Sequence, residues 1–462
     1  METIFVVGAG LVGSVWSIYL ARMGYDVHLF DRFPDFRNAR ASAGRSINLT
    51  ICERGLASLD RIGAGDLVRS ISVPCYGRVV HGMDGSVEFQ PYGNHREAIH
   101  SVSRNELNRS LLSMALEQPS LSCHFEHKCL EVDLNGPTVT FRNMRSGEIT
   151  HRKADRLFGS DGVHSAVRLR MQKATRFNIH QEYLDQGYKE LNVPPTPDGD
   201  WALEGNAIHI WPRGHYMLIG FPNVDRSFTF SLHMPFEGNP SFASIQTPED
   251  LLALFHESFP DALPLIPNLV EDFFRRPEAA MVTIRCFPWI YRDKVALVGD
   301  AAHAMVPSYG QGANSGFEDC SVLADCLEAS GGDWRQAFSR YQDLRKPNAD
   351  AMGKLALEHF HELRDFVGDP EFLLRKRIER RINELFPDRY LPLYSLISFT
   401  SVPYVEALRR DREQRVLVDR VLALPGIRER LDTDEVRGAI EDLMFETTFP
   451  MPEPIEMSVR IG

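Results

Sequence analysis

Four apolar residues, Ile4 to Val7, run straight into Gly8-Ala9-Gly10-Leu11-Val12-Gly13, and a helix-compatible apolar run continues through Leu20. A strand, a G-x-G-x-x-G turn and a helix in immediate succession form the unit with which a β-α-β fold grips a pyrophosphate. Gly8 is placed for the tight turn and Gly10 for close approach of the backbone to phosphate, with Leu11 and Val12 opening the helix. Gly13 lets that helix pack closely on the strand. The next strand, Val27 to Phe30, ends in Asp31, about 20 residues beyond the turn, where a carboxylate reaches a ribose hydroxyl. The chain is therefore expected to be α/β, with a Rossmann-like domain that binds a dinucleotide.

A second segment narrows the choice of dinucleotide. Val295 to Gly299 reads as a buried strand that stops at Asp300, a carboxylate at a strand's carboxyl end, where open α/β sheets bind ligands. Pro307 ends any helix running through Ala301 to Val306, and Gly310-Gln311-Gly312 gives the backbone room beside something flat before a helix begins near Ala313 and Asn314. The unpaired N–H groups of such a helix start favour an anion, or a ring that becomes anionic during turnover. A ribityl chain held by Asp300 and a reduced flavin facing the helix start would meet both demands.

The 462 residues suit two or three domains. A net charge of −12 argues against a nucleic-acid surface. Seven scattered cysteines without a C-x-x-C pair suggest neither a disulfide framework nor a zinc site, and they fit a reducing cytoplasm. The first strand begins without a basic and apolar leader, and no apolar run approaches the roughly 18 residues of a membrane span. A cytoplasmic protein with no membrane and no nucleic-acid partner is expected. Its oligomeric state stays open, with a homodimer as one option.

Along the chain, Arg45 lies in a polar-flanked loop, and Arg78 and Tyr92 lie on two short alternating strands around Met83-Asp84-Gly85, so both could face one cavity. Ser103 and Glu106 suggest a capping box, which puts Arg104 in the first turn of a helix; an arginine set against the macrodipole there suggests a phosphate partner. Another strand ends at Ser160-Asp161-Gly162. Period-two alternation between Phe177 and Ile284 predicts an antiparallel sheet over a substrate, and the chain is expected to return to the first domain at Val282 to Trp289. Helices are predicted over Trp334 to Arg345, 350–386, Val405 to Leu424 and Thr433 to Phe445. The expected domains are 1–72, 98–174 and 281–349 (FAD-binding, glutathione reductase type), 73–97 and 175–280 (inserted antiparallel β-sheet, substrate-binding), and 350–462 (C-terminal helical region).

The three motifs fall in the order and spacing of the class A flavin monooxygenases. GRSINL (44–49), SRNELNR (103–109), GYKEL (187–191), HIWPRG (209–214), PNVDRSFT (222–229) and GFEDC (316–320) further resemble the kynurenine 3-monooxygenase family. The resemblance implies FAD held by Asp31, Arg32, Arg45, Leu49, Arg104, Asp161 and Asp300, with Gly312, Ala313 and Asn314 against the ring. It implies reduction by NADPH, a flavin C4a-hydroperoxide formed with O2, and oxygen transfer ortho to the amino group of L-kynurenine, in tryptophan catabolism. No side chain acts as a nucleophile and no metal is needed; Pro307, Tyr309, Gly310 and Gln311 would face the ring. The substrate carboxylate is expected on Arg78, Tyr92 and Tyr404, with Met217, Phe221, His233 and His359 lining the rest. The chain departs from the family pattern at His233, Ser308-Tyr309, Ala313 and His359, which leaves a different amino-aromatic acid open as substrate. The absence of an anchoring tail suggests a soluble bacterial type. Among other flavin folds, a halogenase would need W-x-W-x-I-P, which this chain lacks, while a dehydrogenase or a flavin-binding sensor using the 350–462 tail stays as an alternative.

Overall fold

A computed structural model describes residues 1–37, 47–93, 97–174, 176–362 and 370–446. The G-x-G-x-x-G unit lies where the sequence puts it, with a strand at Thr3–Val7, a helix at Leu11–Arg22 and a strand at Asp26–Phe30. These strands join a six-stranded sheet in the order Ile290–Tyr291, Val295–Leu297, Arg156–Gly159, Thr3–Val7, Asp26–Phe30, Leu121–His124. All its pairings are parallel except that of the two-residue edge strand. Helix Leu11–Arg22 packs on this sheet, and so does a three-stranded antiparallel sheet (His127–Asp133, Thr138–Asn143, Ile149–Lys153), where Phe30 stacks on Phe141. Strands covered on both faces can be apolar without alternation, as Ile4 to Val7 and Val295 to Leu297 are.

The second sheet has seven strands, in the order Ala279–Phe287, Asn178–Val193, Phe228–Pro235, Met217–Pro222, Ala207–Pro212, Gly77–His81, Val87–Pro91. It is antiparallel but for the pairing of Ala207–Pro212 with Gly77–His81. On one face Phe228, Phe230, Leu232 and Met234 pack with Trp211, Phe255 and Phe259 against the helix Pro248–Ser258. Alternation sends His233 to the opposite face. Register then sets Tyr188, His233 and Met217 side by side across three strands. Val282 to Trp289, expected to rejoin the first domain, instead stays in this sheet as far as Phe287.

The C-terminal helices also differ from expectation. One helix runs unbroken from Trp334 to His361 through Pro347. Asp333 caps its start, and Tyr341, Arg345, Met352 and Phe360 are buried along it, which offsets the roughly 3 kcal/mol cost of an interior proline. Beyond residues 363–369, which lie outside the described residues, helix is described again at Pro370–Leu385. Helix Tyr404–Leu422 packs on the long helix through Tyr404 and Ala407, in a cluster with Val306, Tyr309, Leu396 and Ile397. That cluster, which also holds Met217 and Met281, brings the tail of the chain against the seven-stranded sheet. Among the described residues no helix is long and apolar enough to cross a membrane, and no group of His, Cys, Asp and Glu side chains is placed to hold a metal ion.

Candidate functional site

A cavity of about 670 Å³ runs between the two sheets. That is within the roughly 300–1,000 Å³ of small-molecule sites. One end is backbone. Gly8, Gly10, Leu11 and Val12 line it, as do Asp31, Arg32, Leu49, Arg104, Asp161, Asp300, Gly312 and Ala313. Asp31 accepts the Ala9 N–H at 2.8 Å and the Phe33 N–H at 2.9 Å, and burial nevertheless pushes its carboxyl above the usual range. Asp161 is also pushed up by burial, against hydrogen bonds donated by Ser165 Oγ at 2.5 Å and Ala166 N at 2.7 Å.

The glycines test whether a dinucleotide fits. Gly8 has φ +107°, and an added Cβ would lie 2.5 Å from the Ser160 carbonyl oxygen. Gly13 is packed still more tightly, since its Cβ would meet the Gly8 carbonyl oxygen at 1.8 Å. At Gly10 and Gly312, which line the cavity, a Cβ would meet nothing within 4 Å. Bare backbone facing open space at both turns is what a pyrophosphate and a flat ring require.

The turn before Asp300 is held from behind by groups the sequence did not single out for this. Asp319, fully buried, accepts the Gly299 N–H at 2.9 Å and contacts Arg345 Nε at 2.7 Å and His303 Nε2 at 2.5 Å. Burial pushes the Asp319 carboxyl up, but His303 and Arg345 outweigh it and leave it below the usual range. Gly310, at φ +66°, opens the helix Gln311–Ala329, two residues earlier than predicted.

The other end of the cavity is made of side chains. Arg78 and Tyr92 line it together, as their strands suggested, and Arg78 Nε donates to Gln90 Oε1 at 3.0 Å. Four rings form a column: Tyr92 stacks on Tyr394 with centroids 5.2 Å apart, Tyr394 stacks on Tyr309 at 5.8 Å, and Tyr309 packs on His359 at 4.2 Å with the planes tilted by 33°. Ser308 Oγ donates to the Ala356 carbonyl and ties this segment to the long helix. Met217, Phe221 and His233 also line the cavity, with Tyr188, Ile219 and Met281, which were not anticipated. Burial drives His233 down to about 4, so its imidazole is neutral near pH 7; Nε2 contacts Ser231 Oγ at 3.0 Å and Nδ1 has no partner among the described residues.

Three expectations are corrected. Tyr404 does not line the cavity: it is buried behind it, its hydroxyl donating to Gln311 Oε1 at 2.9 Å and its ring under the Arg54 guanidinium at 4.0 Å. In the stretch from Leu391 to Tyr404, interrupted by Pro392 and Pro403, the tyrosine that lines the cavity is Tyr394; the anchoring of Leu396 and Ile397 in the core chooses between the two, and spacing along the chain does not reveal that. Gln311 and Asn314 turn away as well, Gln311 toward Cys52 and Tyr404, and Asn314 toward Thr50 O, Gly310 O and Cys52 N. Those bonds clamp the Asn48–Ile51 strand to the helix start. Pro307, Tyr309 and Gly310 do line the cavity. Ser103 precedes the helix Arg104–Leu116 without the predicted side-chain cap. Arg45 lies outside the described residues.

The model of the family described as "FAD binding domain" matches residues 1–355. A kynurenine 3-monooxygenase of Flavobacterium johnsoniae is 46% identical over 441 residues, covering 96% of this chain and 98% of the relative. The kynurenine 3-monooxygenase of Myxococcus xanthus is 45% identical over 404 residues, 87% of each chain. Among solved structures, 2-methyl-3-hydroxypyridine-5-carboxylic acid oxygenase superposes with a TM-score of 0.65 at 23% identity, covering 80% of this chain and 94% of that one. PqsL of P. aeruginosa, in complex with 2-aminobenzoylacetate, also has a TM-score of 0.65, at 18% identity over 79% of this chain and 97% of that one. These two likenesses speak for the fold.

Proposed function

This chain belongs to the kynurenine 3-monooxygenase family of FAD-dependent monooxygenases, and we propose that it hydroxylates L-kynurenine ortho to the amino group, using NADPH and O2. One observation carries the reading: a single cavity joins two bare glycine turns to an arginine set among tyrosines. FAD, when bound, would supply the redox chemistry that couples NADPH and O2 to the insertion of one oxygen, with water as the other product.

The protein's share is placement. The backbone of Gly8 to Val12, with Arg104, takes the pyrophosphate, Asp31 and Arg32 the ribose side, and Asp300 the ribityl chain. Leu49 and Asp161 wall this end, and the Gly310 to Ala313 turn would hold the ring. Arg78 takes the substrate carboxylate: Gln90 occupies its Nε, which leaves the two terminal nitrogens to form the bidentate pair. The Tyr92 and Tyr394 hydroxyls are both pushed up by burial and therefore protonated; they hydrogen-bond to each other, so one O–H is spent between them and the other is offered to the same group. Met217, Ile219 and Phe221 floor the aromatic ring and keep water from it.

The test is product mass. FAD-loaded protein given NADPH, O2 and L-kynurenine should yield 3-hydroxykynurenine in step with NADPH consumed; NADPH oxidation without product rejects kynurenine as substrate. One observation favours a second reading, the same chemistry on another amino-aromatic acid: His233 sets a polar nitrogen in an otherwise apolar floor. A product screen over amino-aromatic acids separates the two.

A further inference from the structure

The end of the cavity that holds Arg78 also holds a histidine to which the mechanism above gives no task. His359 lines the cavity with its ring against Tyr309. Its Nδ1 lies 3.4 Å from Glu362 Oε2, and its Nε2 makes no hydrogen bond among the described residues. Behind this pair, Lys376 is matched with Glu379 at 2.9 Å and Arg415 with Asp411 at 2.7 Å. Glu362 is thus the carboxylate of this cluster whose nearest partner, among the described residues, is an imidazole.

The protonation states follow. Burial pushes the Glu362 carboxyl up, but its hydrogen bond with His359 and the charges of Lys376 and Arg415 outweigh that and hold it below the usual range. Burial pushes His359 down, and Arg78 and Lys376 push the same way against Glu362. An ionised carboxylate can only accept a hydrogen bond, so the single proton of a neutral His359 sits on Nδ1. Nε2 then offers a lone pair to the cavity. That polarity suits an N–H donor and repels a carboxylate. Arg78, whose charge is felt at His359, has the opposite polarity, so the two make a bipolar end to the cavity.

We propose that His359, backed by Glu362, is the subsite for the α-ammonium group of an amino-acid substrate whose carboxylate is taken by Arg78. This end of the cavity therefore reads the zwitterion rather than the carboxylate alone. The inference rests on the reading above of an α-amino acid as substrate. It sets His359 apart from a second carboxylate ligand, which would have to be protonated, and from a ring that only packs on Tyr309.

The test is calorimetric titration of the oxidised FAD-loaded protein, without NADPH, with L-kynurenine and with 4-(2-aminophenyl)-4-oxobutanoate, which lacks only the α-amino group. The wild type should bind L-kynurenine at least about tenfold more tightly than the des-amino acid, the ratio one charge-assisted hydrogen bond gives. His359→Phe keeps a ring on Tyr309 and should bring the two affinities together by weakening L-kynurenine alone. Glu362→Gln frees the tautomer and should weaken L-kynurenine in the same selective way, which serves where the first variant does not hold FAD. Equal weakening of both ligands, unchanged affinities, or a wild type that binds both alike would overturn the inference while leaving the substrate reading intact. A wild type that binds neither ligand would reject the substrate reading and the inference with it.

Discussion

At one end of the cavity Gly8, Gly10 and Asp31 come from the first two strands of the chain and present backbone and one short carboxylate. At the other end Arg78, Tyr92, Tyr309, His359 and Tyr394 come from five separate segments and present long side chains. The stretch from Gly8 to Asp31 at the first end is local in sequence and intolerant in space, because at Gly8 and Gly13 no Cβ fits. The second is assembled only when the tail helices dock, and each group there acts through its side chain alone. The two ends should therefore fail differently, the first by losing cofactor and fold, the second by losing substrate.

The sharpest way to break this contrast is at Gly13, where an added Cβ would lie 1.8 Å from the Gly8 carbonyl oxygen and 2.6 Å from Ser160 Oγ. Neither a backbone atom nor a side chain bonded to that backbone can give way cheaply. Gly13→Val is expected to cost at least about 3 kcal/mol and to give protein without flavin. Flavin absorbance per polypeptide and the thermal midpoint check this. Full FAD occupancy at wild-type stability would mean that the turn is not the rigid end.

Acid distinguishes the ends next. His233 is fully buried among substrate-end residues, and its folded-state value of about 4 lies below that of an exposed histidine. The unfolded chain takes up that proton near pH ~6.5 and the folded one only near 4. Stability is thus whole above that higher value and declines as pH falls toward the lower one. The loss is at most about 3 kcal/mol, at ~1.36 kcal/mol per unit. Denaturant unfolding followed from pH 7 to 4 should show this slope, and His233→Phe should lessen it, while His124 and His209, also held down to about 4 by burial, keep their share. An equal slope in the variant assigns the acid sensitivity elsewhere.

The same contrast governs what could be read from the sequence. A strand, a glycine turn and an acid at a set distance are a local pattern, so Gly8, Gly10, Asp31 and Asp300 were found before any fold was known, and all four line the cavity. Arg78 and Tyr92 were paired because a hairpin sets them near each other in the chain. Tyr394 and Tyr188 carried no such signal, since docking against distant helices and strand register decide which side chains reach the cavity. Gln311 and Asn314 lie at the expected helix start, yet their side chains turn inward to clamp neighbouring backbone. The predicted helices ending at Arg345 and starting again at 350 prove to be one, because tertiary burial along Trp334–His361 carries the helix through Pro347.

Arg78→Ala probes the substrate end directly. Removing the charge-assisted pair to the carboxylate should raise the apparent substrate constant by about ten- to a hundredfold, for a loss of roughly 1.5–3 kcal/mol, with FAD occupancy unchanged. Steady-state kinetics beside flavin absorbance separates the two. An unchanged substrate constant takes Arg78 out of the site, and lost flavin would blur the two ends into one.

The smallest effect is the most discriminating, because it sets two tyrosines of one stretch against each other. Tyr394 lines the cavity between Tyr92 and Tyr309, so Tyr394→Phe should weaken substrate binding by roughly two- to tenfold, the worth of about one neutral or weakly assisted hydrogen bond, with the thermal midpoint held. Tyr404 instead joins Gln311 and Arg54 behind the cavity, so Tyr404→Phe should lower stability by about 1 kcal/mol and leave substrate affinity alone. Paired titrations and melts of the two variants carry the comparison. If Tyr404→Phe weakens binding while Tyr394→Phe does not, the tail helices sit differently on the cavity than described, and the substrate end must be rebuilt around Tyr404. If each variant moves only its own observable, the division between a backbone end and a docked side-chain end extends to single hydroxyl groups.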